Sequence, residues 1–256
     1  MPQATIRSIY RYPVKGLSPQ ELPRVGLAAG ETLPADRAYA IENGSSGFDP
    51  ASPRYFPKQR FLMLMKNERL AALDTQFDSA TDTLTIRRGN EEVARGDLRS
   101  ADGRAAIEAF FTRYCADELR GSLRVLHVPG FSFSDVANKV VSIINLASVA
   151  AIEDLVGVPV DPLRFRGNVY VSGWPAWHEF DLVGQTIAVG ENVRLRVVKR
   201  IERCAATNVD PFTGIRDINI PRALFKRFDH ADCGIYAEVV TPGEIAVGDT
   251  VMNEPM

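Results

Sequence analysis

Apolar positions along this chain recur mainly at short, alternating spacings, in many separate runs. Ile6 to Val14 alternates apolar and aromatic residues and breaks at Pro13, Lys15 and Gly16, which predicts a strand entering a turn that carries the lysine. A second strand is predicted within Leu33–Glu42, over RAYAIE, just after Asp36. Residues 43–57 are crowded with Gly, Ser and Pro and predict a loop. From Phe61 to Glu92 the runs FLMLM, LAALDTQF and TLTIRR, separated by turn signals, predict a small antiparallel meander. The period then changes. Ala106, Ile107, Phe110, Phe111, Tyr114 and Cys115 recur at three- and four-residue steps, predicting a helix over Asp102–Leu119 with Cys115 packed on its apolar face.

The second half returns to strands, at Leu123–Val128 and Val140–Asn145, followed by a helix over Ala147–Val156 closed by Gly157. DPLRFRGN forms a loop bearing Arg164 and Arg166 before the strand NVYVSG. FDLVGQTIAVG, VRLRVVKR, GIYAEVV and EIAVGDTV continue the β pattern, interrupted by one short helix at Pro221–Phe228. Many short strands with glycine turns and two or three helices point to a mainly β, α+β protein built on a β-barrel, and away from a parallel α/β sheet.

Composition narrows the function classes. The 256 residues suffice for a well-buried core, and 30 Lys and Arg against 32 Asp and Glu give a formal net charge of −2. That balance argues against a nucleic-acid binder, so any anion site must come from local clustering. No run approaches the ~20 consecutive apolar residues of a membrane span. The N-terminal sequence lacks an apolar signal core, which predicts a cytoplasmic protein with no membrane partner. Cys115, Cys204 and Cys233 form no paired motif, and free thiols are expected.

The densest chemistry lies at RLRVVKRIERC. Arg194, Arg196, Lys199, Arg200 and Arg203 crowd a strand that ends at Cys204, and strand alternation places Arg194, Arg196 and Arg200 on one side, with Val197 and Ile201 inward. A solvated barrel face is the plain reading of those charges. Cys204 itself has three readings: a buried small hydrophobe, a nucleophile with His178 or His230 as base, and a metal ligand. Zinc is disfavoured, because Cys204, His230 and Cys233 lack the paired spacings of zinc sites. After the cysteine, TNVDPFTG is a dense turn signature that predicts a rigid loop beside it.

Taken together, YPVKG (Tyr12–Gly16), Asp36-Arg37, FRGN (Phe165–Asn168), Arg203–Gly214 and GIYAEVVTPGEIAVGD (Gly234–Asp249) resemble the MOSC family, over nearly the whole chain. Relatives of the C-terminal domain of molybdenum cofactor sulfurase belong to it, as do the mitochondrial amidoxime-reducing component and its bacterial counterparts. The resemblance implies a MOSC-type barrel at 1–37 and 123–256, with a smaller β-rich lobe bearing one helix at 38–122. It implies a bound molybdenum–molybdopterin cofactor, independent of pyridoxal phosphate, with Cys204 as the soft ligand of the metal. Lys15, Arg37 and Arg166 would hold the cofactor phosphate. Asn168 and Arg203 would support them, and Tyr236 would lie near the pterin. Asn138 and Lys139 stand where relatives carry a small hydroxyl pair near the phosphate.

The activity implied is reduction of small N-hydroxylated molecules, with Cys204 central to it. No cysteine cluster for an iron–sulfur centre is present, so electrons would come from a separate ferredoxin-like, flavin or haem protein. Trp174, Trp177 and His178 are candidates for the rim of the substrate opening, with packing as the competing reading. Two other classes remain open: a carrier of the cofactor or its sulfur, and a metal-free Cys/His hydrolase or transferase.

Overall fold

The computed structural model describes residues 2–253. In chain order, β1 (Ala4–Arg11), β2 (Gln20–Leu22), β3 (Arg24–Leu27) and β4 (Tyr39–Asn43) lead to β5 (Asp74–Asp78), β6 (Thr83–Arg88), β7 (Glu91–Asp97), helix α1 (Ala101–Tyr114) and β8 (Leu123–His127). Then come β9 (Val141–Asn145), α2 (Leu146–Val156), β10 (Val169–Ser172), β11 (Thr186–Val189), β12 (Val193–Glu202), α3 (Ile220–Phe228), β13 (Asp232–Thr241), β14 (Gly243–Ala246) and β15 (Thr250–Asn253).

The main sheet runs β10-β9-β13-β12-β11-β15-β1-β2, and β10 also pairs with β1, so seven strands close into a barrel with β2 appended. All of these pairings are antiparallel except β9 with β10. Closure leaves no free edge on the seven strands, which is how β architectures avoid exposed backbone donors. It is β1 that closes the ring, because Ala4, Ile6 and Ile9 point into the same core as Val141, Ile143, Val197 and Ile235. The turn after β1 therefore delivers Lys15 to the end of the barrel.

A second core gathers Val14, Leu17, Tyr39, Ile41, Leu62 and Phe111 under α1 and the antiparallel sheet β5-β6-β7. Ser100 caps α1, its hydroxyl accepting from the Gly103 N–H at 2.9 Å. Ile107, Phe110 and Phe111 bury the helix face. Cys115 is fully buried, and burial pushes its thiol up to about 12. The chain crosses between cores more than once, since Val25, Leu27 and Leu33 return to the barrel interior.

Three apolar runs fold differently from expectation. FLMLM pairs only through Phe61, which bridges Glu42, and then turns. The Asn67 side chain accepts from the Met63 N–H at 3.0 Å, while Lys66 and Asn67 donate to the Met63 carbonyl, so local bonds replace a ladder. Leu70–Ala72 belong to a 3₁₀ turn before β5 starts at Asp74, and Phe180–Leu182 to another before β11 starts at Thr186. Helix α3 begins one residue early, at Ile220, because the Asn219 carboxamide accepts from the Arg222 N–H at 3.2 Å. No helix among the described residues is long and apolar enough to cross a membrane.

Candidate functional site

Strand β12 stops at Glu202, and Cys204 precedes a 3₁₀ turn over Ala205–Asn208. The Cys204 carbonyl accepts from the Thr207 N–H and hydroxyl, each at 3.0 Å, which pins the backbone while the side chain stays half-exposed. Its residue lines a cleft of about 560 Å³ that both cores help to build. Small-ligand sites commonly measure roughly 300–1,000 Å³.

Of the residues singled out in the sequence, Lys15, Arg37, Arg166, Asn168, Arg203, Cys204 and Tyr236 all line this cleft. Their environments assign them different parts. Arg37 and Arg166 occupy left-handed backbone, with φ of 52° and 50°, and their guanidiniums lie 5.0 and 4.1 Å from the centre of the buried Tyr12 ring. Such backbone costs on the order of 1–3 kcal/mol per residue, and strain of this kind gathers at ligand sites. Asp36 secures the arrangement by accepting from the Tyr12 N–H at 2.8 Å and pairing with Arg37, which also donates to the Arg166 carbonyl at 3.1 Å.

Arg166 is the open group. Its Nη2 is buried and has no hydrogen-bond partner. Burial, with Arg37 adding to it, pushes its pKa down, whereas Asp36 and Asp135 outweigh burial and hold the pKa of Arg37 up. An unpaired buried donor of this kind calls for an acceptor.

Asn168 and Arg203 are braces. The Asn168 carboxamide accepts from the Ser142 N–H and hydroxyl at 3.1 and 2.8 Å and donates to the Tyr10 carbonyl at 3.2 Å, clamping β9, β10 and β1. Arg203 donates to the carbonyls of Cys233 at 2.7 Å and Phe165 at 2.9 Å, tying the start of the cysteine loop to β13 and the FRGN turn.

The rigid loop after Cys204 is held twice. The Asp210 carboxylate accepts from Phe212 N–H, Thr213 N–H and the Thr213 hydroxyl, while the buried Arg164 reaches Asp210 at 3.3 Å and Asp217 at 2.7 Å. Gly214, with φ of 72°, closes the loop against the other core, where a Cβ would lie 2.9 Å from the Glu68 carbonyl oxygen. Gly214→Ala is therefore expected to cost about 1–2 kcal/mol, read in a thermal melt as a Tm roughly 2–8 °C lower. An unchanged Tm would show that the loop yields freely.

Asn138 and Lys139 lie elsewhere. Both are exposed and outside the cleft lining; Lys139 pairs with Glu31 at 2.6 Å and Asn138 bonds Glu238. The same loop turns Ser134, Asp135 and Val136 into the cleft instead. The β12 register shifts at Arg194/Leu195, Val197/Lys199 and Arg200/Glu202, yet Val197 and Ile201 stay buried as alternation expects. Lys199 and Arg200 line the cleft while Arg194 and Arg196 do not, so Arg200 is the one that departs from its expected face. Lys199 stands 5.8 Å from the centre of the Tyr236 ring.

Two residues had no signal in the sequence. Lys58, in the turn after the Gly/Ser/Pro loop, donates to the Cys204 sulfur at 3.2 Å. Asp135 pairs with Lys15 and approaches Lys58 at 3.8 Å, and Lys15 also donates to the Phe133 carbonyl at 2.8 Å. Neither histidine considered as a base lines the cleft: His178 lies 3.5 Å from Asp181, and His230 stacks on Phe228. Trp174 is buried in the barrel core and Trp177 packs against Phe180 and Phe228, so both are packing residues. Among the described residues no three His, Cys, Asp or Glu side chains cluster to hold a metal ion.

Eight cationic side chains and four carboxylates line the cleft, with one half-exposed cysteine thiol among them. This donor set, with the orphaned Arg166 nitrogen, fits an anionic group that also presents a soft metal. Fold and site thus define a β-barrel protein with a cationic, cysteine-bearing ligand cleft.

It belongs to the MOSC family: residues 129–252 match the MOSC domain and residues 3–117 the MOSC N-terminal beta barrel domain. MOSC domains are associated with molybdenum cofactor binding. The chain is similar to mitochondrial amidoxime reducing component 2 of Bos taurus, 30% identical over 123 residues, which span 43% of this chain and 36% of that relative. It therefore matches about a third of that relative's length. Among solved structures it is similar to the YUAD protein from Bacillus subtilis (TM-score 0.46, 14% identity, 98% of this chain and 97% of that one). Another is YiiM from Geobacillus stearothermophilus (TM-score 0.36, 18% identity, 45% and 54%).

Proposed function

We propose that this chain binds molybdenum–molybdopterin in the cationic cleft and reduces small N-hydroxylated or related N-oxygenated molecules with electrons from a separate donor protein. The observation that carries the reading is the Cys204 sulfur in one cleft with the unpartnered Nη2 of Arg166. Arg166 and Arg37 would hold the phosphate of the cofactor, and Cys204 would ligate the metal. Lys15 would act through its pair with Asp135, and Tyr236 would flank the pterin. When bound, the cofactor supplies two-electron redox chemistry at molybdenum.

The protein's own part is orientation and electrostatics. Arg203 and Thr207 fix the cysteine, Arg164 fixes the neighbouring loop, and the surplus of cations balances the ligand's charge. Reduction of an N–OH group consumes two electrons and two protons, breaks the N–O bond and releases the oxygen as water.

Protein purified from a cofactor-competent host is expected to contain stoichiometric molybdenum with pterin fluorescence, and to reduce an amidoxime with an artificial reductant. Full occupancy without turnover would instead indicate a carrier of the cofactor. Absence of molybdenum would remove the assignment.

A further inference from the structure

Lys58 comes from outside the barrel, yet its ammonium is the polar group bonded to the Cys204 sulfur, at 3.2 Å. Its own placement is built. Pro57 leads into the 3₁₀ turn Lys58–Arg60, the Gln59 carbonyl accepts from Arg120, and Phe61 is buried against Phe133. On the far side, Asp135 lies 3.8 Å from the ammonium. The Cys204 backbone is pinned by Thr207, so the remaining freedom at the sulfur is the rotation of its side chain.

We infer that Lys58 is a positioning residue for the Cys204 sulfur: its N–H···S bond aims the sulfur and, in the ligated state, draws electron density from it. This second part rests on the cofactor reading above. Hydrogen bonds to sulfur ligands set reduction potentials, and outer partners of a metal ligand orient it. A cation on the thiolate favours the reduced, more electron-rich metal, so its loss should make reduction harder.

Two measurements separate the parts. In cofactor-free protein, Cys204 is alkylated with anionic iodoacetate and with neutral iodoacetamide; Cys115 and Cys233 are buried and leave Cys204 as the reactive thiol. The ratio of the two rates cancels the thiolate fraction and reports the charge beside the sulfur. Lys58→Met is expected to lower this ratio at least threefold, with Lys58→Arg close to wild type; an unchanged ratio in Lys58→Met would overturn the placement.

In cofactor-loaded protein, Lys58→Met is expected to shift the reduced-to-oxidised ratio at a fixed potential about tenfold toward oxidised. The EPR signal of partly reduced molybdenum should change, and Lys58→Arg should restore both. A wild-type potential and spectrum in Lys58→Met would overturn the tuning role. If the wild-type chain takes up no molybdenum, the tuning role fails with the cofactor reading, and the alkylation ratio alone decides the placement.

Discussion

Cys204→Ala is expected to empty the site of molybdenum while leaving the fold intact. The side chain is half-exposed and outside the hydrophobic cores, and a substitution there should change stability by no more than about 0.5 kcal/mol. Its removal takes away the one sulfur that lines the cleft from a cysteine. Mutating outer partners of a metal ligand already weakens metal binding roughly 10–100-fold, so losing the ligand itself should exceed that range. Molybdenum content by elemental analysis, pterin fluorescence and a thermal melt on the same preparation check the three parts. Stoichiometric molybdenum in the alanine variant would remove Cys204 as a ligand. A collapsed melt would mean that the thiol is structural after all.

Why part of this site was legible in the sequence, and part was not, follows from where each residue gets its position. Cys204, Arg203 and the Asp210–Gly214 turn are neighbours in sequence, so local turn chemistry places them together. Lys15, Arg37 and Arg166 stand in turns that motif resemblance marks, and barrel closure through β1 brings the first of them to the others. Lys58 and Asp135 belong to segments with no period or paired spacing, and long-range contacts, the packing of Phe61 on Phe133 and the Tyr55 hydroxyl donating to the Asp135 carbonyl at 3.1 Å, set them facing each other. Asn138 and Lys139 were singled out three and four residues past Asp135, and both face away from the cleft. The strand expectation at FLMLM failed for a related reason: Asn67 offers its carbonyl to Met63, a local bond that apolar spacing does not register. At β12 alternation already separates Lys199 from Arg196, but it groups Arg200 with Arg194 and Arg196, and Arg200 lines the cleft where register shifts interrupt the ladder, which a period of two does not register.

Asp135→Asn is expected to destabilise the chain at neutral pH and, in the same protein, to strengthen anion binding. The substitution keeps the volume and removes the charge that faces Lys15, whose side chain is only 4% exposed and would be left with the Phe133 carbonyl at 2.8 Å. Breaking a buried pair costs roughly 3–5 kcal/mol. The Asp135 side chain is 43% exposed, and solvent screening lowers the expectation to about 2 kcal/mol.

The pH dependence has a definite sign. Burial works against the Asp135 charge, but Lys15, Lys58 and Arg37 outweigh it and hold its pKa well below the usual carboxylate range. Its stabilisation is therefore complete above the unfolded value of about 4 and fades as pH falls from there toward the folded value. Urea unfolding should show the wild-type advantage in full at pH 7 and reduced at about pH 3. Equal stabilities at pH 7, or a gap that stays constant to pH 3, would show that the pair does not stabilise the fold. Meanwhile the cleft has lost one of its four carboxylates against eight cations, so inorganic phosphate should bind the variant more tightly in a calorimetric titration. Stability falling while phosphate affinity rises would show that Asp135 serves the fold by occupying charge that a ligand could otherwise use; phosphate affinity falling instead would mean that Asp135 holds Lys15 in place for the ligand.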